Sequence, residues 1–273
     1  MTLQKIEVRN VFKVFGSREK EVLAMVRAGK GKEQVLAETG CVVGVNDISL
    51  SIGAAEVFVI MGLSGSGKST LVRHLNRLID PSSGQILVDG EDILDYDMPA
   101  LRHFRRHKIS MVFQNFGLLP HRNVLDNVAY GLKVRGESAA QCQERARHWI
   151  SLVGLQGYEQ VFIHQLSGGM RQRVGLARAL ATDTDIILMD EAFSALDPLI
   201  RAEMQDQLLE LQRTLQKTIV FITHDLDEAL RIGNRIAVLK DGQLIQVGTP
   251  HDILHAPADD YVSRFVQRRR TRA

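Results

Sequence analysis

Residues 3–15 alternate between apolar and charged positions, Ile6 and Val8 against Glu7 and Arg9, which is the period of a half-buried strand. A second strand-like stretch runs over 45–52, and the two together predict an antiparallel edge sheet. Between them, residues 17–40 are charged, lack aromatics and carry two short helical patterns, Val22-Leu23-Met25-Val26 and Gln34-Val35-Leu36. On pattern alone this is a solvated insertion. Three unbroken apolar runs come after it, Val57-Phe58-Val59-Ile60-Met61, Ile186-Ile187-Leu188-Met189 and Thr218-Ile219-Val220-Phe221-Ile222-Thr223, the mark of strands buried on both faces. Alternating with amphipathic helices, they predict a parallel sheet covered on both sides. From about 96 to 165 the pattern is mostly helical, clearest over 102–107 and 139–152, as for a helical subdomain inserted into an α/β core.

Composition narrows the function. Of the 273 residues, 34 are Lys or Arg and 32 Asp or Glu, a net charge of +2 that advertises neither nucleic acid nor a lipid surface. Cys41 and Cys142 cannot alone make a four-ligand zinc site, and reduced cytosolic thiols are expected. The start of the chain meets charge at once and lacks the apolar core of a signal peptide. No stretch approaches the roughly 18 to 20 apolar residues of a membrane span, so any work at a membrane is expected to need another chain. The tail Arg268-Arg269-Arg270-Thr271-Arg272 is the one charge block and reads as a frayed, solvated terminus.

Chemistry enters at Gly62-Leu63-Ser64-Gly65-Ser66-Gly67-Lys68-Ser69, which fits G-x-x-x-x-G-K-[ST] between a buried strand and a helix. Glycines let backbone N–H groups converge on phosphate oxygens, and the helix adds its unsatisfied amides and positive dipole end. Lys68 is the candidate bridge between β- and γ-phosphates and Ser69 a candidate Mg²⁺ ligand, while Thr70 packs or caps. Asp190 and Glu191 end a buried strand, where open α/β sheets bind ligands. Asp190 is the candidate for orienting Mg²⁺ and Glu191 the candidate general base.

A second glycine-bearing helix start, Leu166-Ser167-Gly168-Gly169-Met170-Arg171-Gln172-Arg173, has Ser167 as a good N-cap and amides at Gly168 and Gly169 that could meet an anion. This run resembles the signature motif of ATP-binding cassette (ABC) proteins, and with the phosphate loop and the acidic strand it covers nearly the whole chain in that family's order. The resemblance implies an α/β P-loop NTPase cassette: a RecA-like parallel sheet core, an N-terminal antiparallel β subdomain and an inserted helical subdomain. It implies one domain over 1–273, with the 17–40 insertion after the adenine-stacking loop, the helical subdomain at about 96–165 plus the signature helix, and a C-terminal helix and basic tail over 250–273.

Other residues take roles only through this resemblance. Gln114 looks like the Q-loop glutamine that touches Mg²⁺ and the attacking water. Asp197, in Ser194-Ala195-Leu196-Asp197, resembles the D-loop aspartate that communicates with a partner cassette, and His224 the switch histidine at the γ-phosphate. Phe15 sits where the family stacks an aromatic on adenine, with Phe12 as the competing choice. Two such cassettes would pair head to tail, each ATP lying between one phosphate loop and the opposite signature.

Longer stretches narrow the resemblance to the ATPase subunits of glycine betaine, proline betaine and choline importers: residues 58–64, 189–201 and 223–229, and Lys32-Glu33-Gln34-Val35-Leu36 within the insertion. The resemblance implies an ATP- and Mg²⁺-dependent subunit at the cytoplasmic face of a bacterial inner membrane, working with permease chains and an extracytoplasmic solute-binding protein. Many such subunits continue into paired cystathionine-β-synthase-like modules, whereas this sequence stops near Arg272. The loop Phe116-Gly117-Leu118-Leu119-Pro120-His121 is the expected apolar docking surface for the permease. Rival readings are an importer subunit for another solute, a soluble ABC ATPase acting on nucleic acid, and a regulatory subunit without turnover. Intact Lys68, Glu191 and His224 argue against the last, and no nucleic acid partner is expected.

Overall fold

A computed structural model describes residues 4–114, 117–194 and 196–270, with side chains to 267. The chain divides into two compact units, residues 1–97 with 222–273, and residues 98–221.

In the first unit, β1 (Gln4–Phe15) pairs antiparallel with β2 (Val42–Gly53), bringing Val8 opposite Leu50 and Val14 opposite Val43. β3 is Val57–Met61, buried at all five positions. β4 (Ser83–Val88) lies on the other side of β1, and β5 (Glu91–Asp92) completes a sheet in the order β2-β1-β4-β5. The expected antiparallel pair is present, but β1 is interior to its sheet. In the second unit, β6 (Ile109–Val112) pairs parallel with β7 (Ile186–Asp190), placing Met111 opposite Leu188. β8 (Thr218–Thr223) begins there and ends in the first unit. The first unit closes with β9 (Arg235–Lys240), parallel to β3, and β10 (Gln243–Gly248), antiparallel to β9.

The insertion forms two helices, Glu19–Arg27 and Lys32–Thr39, where the two helical patterns lie. It is not a merely solvated excursion. Val22, Val26 and Val35 pack with Phe12, Val14, Cys41 and Val43 into a buried cluster. Each such valine contributes about 1.5 kcal/mol or more by leaving water. The insertion also closes tightly at its base: Gly16 (φ +137°) lies so near Cys41 that a Cβ there would sit 2.5 Å from its Sγ.

In the second unit, helices Met98–His107 and Ala139–Leu152 match the strongest helical patterns. The latter starts with a capping box between Ser138 and Gln141. Past residue 250 the expected single C-terminal helix is two, Pro250–His255 and Asp260–Arg270, because the stretch 256–259 interrupts it. Arg268–Arg270 of the expected frayed tail continue that helix, while Thr271 and Arg272 lie outside the described residues. Both cysteines are buried free thiols, and among the described residues no helix is long and apolar enough to cross a membrane.

Candidate functional site

The phosphate loop belongs to the first unit. β3 is fully buried and delivers the chain at Gly62, and the loop ends at Gly67, which caps the Lys68–Leu75 helix with φ +96° and no side-chain hydrogen bond. Only glycine fits at Gly67, since a Cβ would also stand 2.4 Å from the Gly44 carbonyl oxygen. Gly62 is equally crowded, its Cβ position being 2.3 Å from the Leu239 carbonyl oxygen.

Lys68 is buried, and its Nζ donates to the carbonyls of Gly62 and Leu63, both at 2.9 Å. The Leu63 carbonyl also accepts the Ser66 N–H at 3.2 Å. The buried Ser66 hydroxyl has no partner among the described residues. Leu63, Ser64 and Gly65 are exposed, while Ser69 and Thr70 are half-buried in the first helical turn. A glycine-rich turn of backbone amides, a lysine folded back onto loop carbonyls and an orphaned hydroxyl form a cradle suited to phosphate oxygens.

Phe15 and Phe12 separate cleanly. Phe12 is buried in the insertion core with Arg27 over its ring, whereas Phe15 is 39% exposed. The Phe15 ring lies against Gly44, where a Cβ would come within 2.7 Å of it, and Lys13 Nζ stands 5.4 Å from the ring centroid. The Thr70 methyl lies 3.6 Å from the same Cβ position at Gly44. His224 is exposed directly after β8, on backbone fixed by its neighbour. Asp225 receives the N–H groups of Asp227 and Glu228, and its own N–H donates to the Thr223 hydroxyl at 2.9 Å.

The second unit holds the acidic pair. Asp190 is buried at the end of β7. Glu191 takes a left-handed backbone conformation, φ +46°. Its Oε2 accepts a 2.9 Å hydrogen bond from Gln114 Nε2, two residues past β6, so Gln114 and Glu191 are brought together across 77 residues of sequence. Phe193, packed on Phe221 at 5.4 Å, anchors the loop that comes next.

The signature lies in this unit too. Ser167 caps the Gly168–Ala181 helix by accepting the Met170 N–H, the cap its sequence predicts. In front of this turn is an open hollow of about 520 Å³ lined by Tyr158, Ser167, Arg173, Asp197 and Ile200 among others. Asp197 caps the Pro198–Leu215 helix through the Ile200 N–H at 3.1 Å, and Arg201 ties down the Ser194 and Leu196 carbonyls. Ala195 lies outside the described residues.

The apolar loop departs from expectation. Leu118 and Leu119 are half-buried, not exposed, and Phe116 lies outside the described residues. Buried Asn127 draws the segment inward, accepting the Leu119 N–H and donating to the carbonyls of Leu119, Arg122 and Asn123.

Three residues make contacts here that no motif assigns, although Lys32 falls within a stretch that carries the subfamily resemblance. Arg178, on the signature helix, donates to the Gly117 carbonyl at 2.7 Å, and burial lowers its pKa. Tyr261, on the last helix, accepts the Leu63 N–H and donates to the Leu239 carbonyl, each at 3.3 Å. Burial pushes its hydroxyl pKa up, which keeps the proton that the second bond requires. Lys32, from the insertion, donates to the Gly65 carbonyl of the phosphate loop at 3.3 Å.

A glycine loop that opens a helix around its own buried lysine, after a strand of a mostly parallel sheet, defines a phosphate-cradling α/β protein. The sequence model of the ABC transporter family matches residues 45–194. The chain belongs to that family. It is 57% identical over 261 residues to the glycine betaine/proline betaine transport ATP-binding protein of Salmonella typhimurium, covering 96% of this chain and 65% of that protein. To the glycine betaine transport ATP-binding protein of Bacillus subtilis it is 56% identical, over 96% of this chain and 63% of the relative. It therefore spans slightly less than two thirds of these relatives. A trimethylamine N-oxide transport ATP-binding protein of Ruegeria pomeroyi is 52% identical, over 96% and 77% respectively. Among solved structures, the ATP-binding cassette MJ0796, a dimer in a post-hydrolysis state bound to ADP and Pi, superposes with a TM-score of 0.76 at 31% identity, over 90% of this chain and 98% of that one. The expected family and cassette fold are both found.

Proposed function

We propose that this chain binds and hydrolyses ATP to energise an importer of glycine betaine, proline betaine or choline-type solutes. The observation that carries the nucleotide part is Lys68, whose ammonium is held inside the glycine loop by two neutral carbonyls. A phosphate oxygen is a stronger, charged acceptor for the same donor. The solute class is supported by similarity to the glycine betaine transport proteins over nearly the whole chain.

In this reading Phe15 offers a π face to adenine, and the amides of Gly62 to Thr70 with Lys68 neutralise the phosphates. Ser69, Asp190 and Gln114 supply only oxygen donors, the set that suits a hard cation such as Mg²⁺. Bound with the nucleotide, Mg²⁺ would neutralise β- and γ-phosphate charge. Glu191 takes the proton of the attacking water as its oxygen bonds to the γ-phosphorus and ADP departs. Gln114 orients that carboxylate through the 2.9 Å hydrogen bond. His224 contacts the γ-phosphate.

Ser167, Gly168 and Gly169 face the nucleotide of a second copy, with Asp197 at the shared boundary. Supporting this, the signature amides border a hollow open to solvent, and the solved cassette MJ0796 is dimeric. The pair would sit at the cytoplasmic face of the inner membrane, bound to permease chains that receive solute from an extracytoplasmic binding protein.

The test is uptake of labelled glycine betaine and choline in source cells whose sole copy is wild type or Glu191→Gln. Loss of either uptake in the mutant is expected. Unchanged uptake of both, with the mutant expressed and no redundant carrier active, would remove the quaternary-amine assignment.

A further inference from the structure

A side chain of the insertion reaches the phosphate loop. Lys32 opens the Lys32–Thr39 helix, and its Nζ donates to the Gly65 carbonyl at 3.3 Å. Two features make this contact more than a stray surface bond. The insertion is a fixed arm, since Val22, Val26 and Val35 are buried in a common cluster and Gly16 is pressed against Cys41 at its base. The contacted peptide also carries one of the loop's own donors. The Gly65–Ser66 peptide is trans, so its C=O and N–H point in opposite directions. Lys32 holds the carbonyl from outside, and the Ser66 N–H faces inward to the Leu63 carbonyl at 3.2 Å.

That Leu63 oxygen also takes the Lys68 ammonium at 2.9 Å, so two donors converge on one acceptor inside the loop. A phosphate oxygen entering the cradle collects the same two donors. A cation on the far side of the peptide polarises it and strengthens the donor on the near side. It also places a positive charge close to the incoming anion, without entering the cradle.

We propose that Lys32 is a positioning residue for nucleotide binding, through which the insertion presets the Gly65–Ser66 peptide of the phosphate loop. The proposal rests on the nucleotide reading above. It gives the insertion a task in the binding step and none in the chemical one, because Lys32 reaches the outer face of the loop.

The test uses the full chain and a fluorescent ATP analogue, measuring Kd, KM and kcat for wild type, Lys32→Ala, Lys32→Arg and Lys30→Ala. Lys30 is the control, an insertion lysine that pairs with Glu38 and not with the loop. Lys32→Ala should raise Kd and KM about three- to tenfold, the range of one exposed charge-assisted hydrogen bond, with kcat within about twofold. Lys32→Arg should restore most of the affinity, and Lys30→Ala should match wild type. Unchanged Kd in Lys32→Ala, or an equal loss in Lys30→Ala, would overturn the proposal while leaving the nucleotide reading intact. A wild type that binds no analogue, or binds it as well after Lys68→Ala, would overturn both.

Discussion

The two glycine-bearing helix starts of this chain solve the same problem in opposite ways. At the Lys68–Leu75 helix the cap is Gly67, which has no side chain to offer the first-turn amides, while a buried lysine closes the loop from within. At the Gly168–Ala181 helix the cap is Ser167, whose hydroxyl already takes the Met170 amide, and the turn faces an open hollow. A helix start left without a side-chain cap suits an external anion, since no capping oxygen competes for its N–H groups. A capped start is stable alone and can lend only its remaining amides. On the function proposed above, the first region needs a ligand and the second would need another copy's surface to complete it.

The contrast breaks most sharply at Lys68. Lys68→Ala should abolish both nucleotide binding and turnover at concentrations that saturate wild type, checked by equilibrium binding of a fluorescent ATP analogue. Glu191→Gln separates those two steps. Phosphate release should fall by about 10²–10⁴-fold, the usual worth of a positioned general base, with ATP affinity close to wild type. Equal release rates in mutant and wild type would remove Glu191 from the base role.

A paired glycine experiment tests the two helix starts directly. Gly67→Ala forces a side chain into φ +96° and toward the Gly44 oxygen, so binding should be lost together with about 2 kcal/mol or more of stability. Gly168→Ala meets nothing within 4 Å and should be neutral or stabilising by up to about 1 kcal/mol in thermal unfolding. Any loss of turnover in the second variant then reports on a partner surface and not on folding.

Smaller effects sharpen the picture of how the phosphate loop is held. Tyr261→Phe removes one hydroxyl shared by Leu63 and Leu239 and should cost about 1 kcal/mol in denaturant unfolding. His74, in the helix that the loop caps, is buried with Nδ1 2.7 Å from the Ile79 carbonyl, and burial lowers its pKa below the ordinary 6.5. Below that pH the unfolded chain binds a proton that the folded chain resists, so stability falls as pH drops through 6.5 and is full above it. The melting temperature of wild type should therefore decline more steeply between about pH 7.5 and 5.5 than that of His74→Gln.

Sequence revealed the parts of the site whose signal is local. The phosphate loop, the Asp190-Glu191 strand end and the Ser167 cap each fit within a few residues, and the buried strands announce themselves as apolar runs. What escaped depends on distant pairs. Tyr261 meets Leu63 across 198 residues, Arg178 meets Gly117 across 61, and Lys32 meets Gly65 across 33, none with a periodic or spaced signature. The insertion shows the same limit. Val22 and Val26 have helical spacing, but the surface that receives them is assembled from β1 and β2 and is visible only once the sheet has formed. Likewise, Leu118 and Leu119 look like exposed docking residues until Asn127, an ordinary helix residue by pattern, ties the Leu119 backbone inward.

On the function proposed above, the capped signature turn completes the phosphate site of another copy. The most direct measurement is the solution mass of Glu191→Gln by light scattering, with and without saturating ATP and Mg²⁺. The expected result is one chain without nucleotide, two with it, and one again when Ser167→Arg is added despite unchanged nucleotide binding. A Glu191→Gln protein saturated with ATP that remains a single chain would contradict the claim.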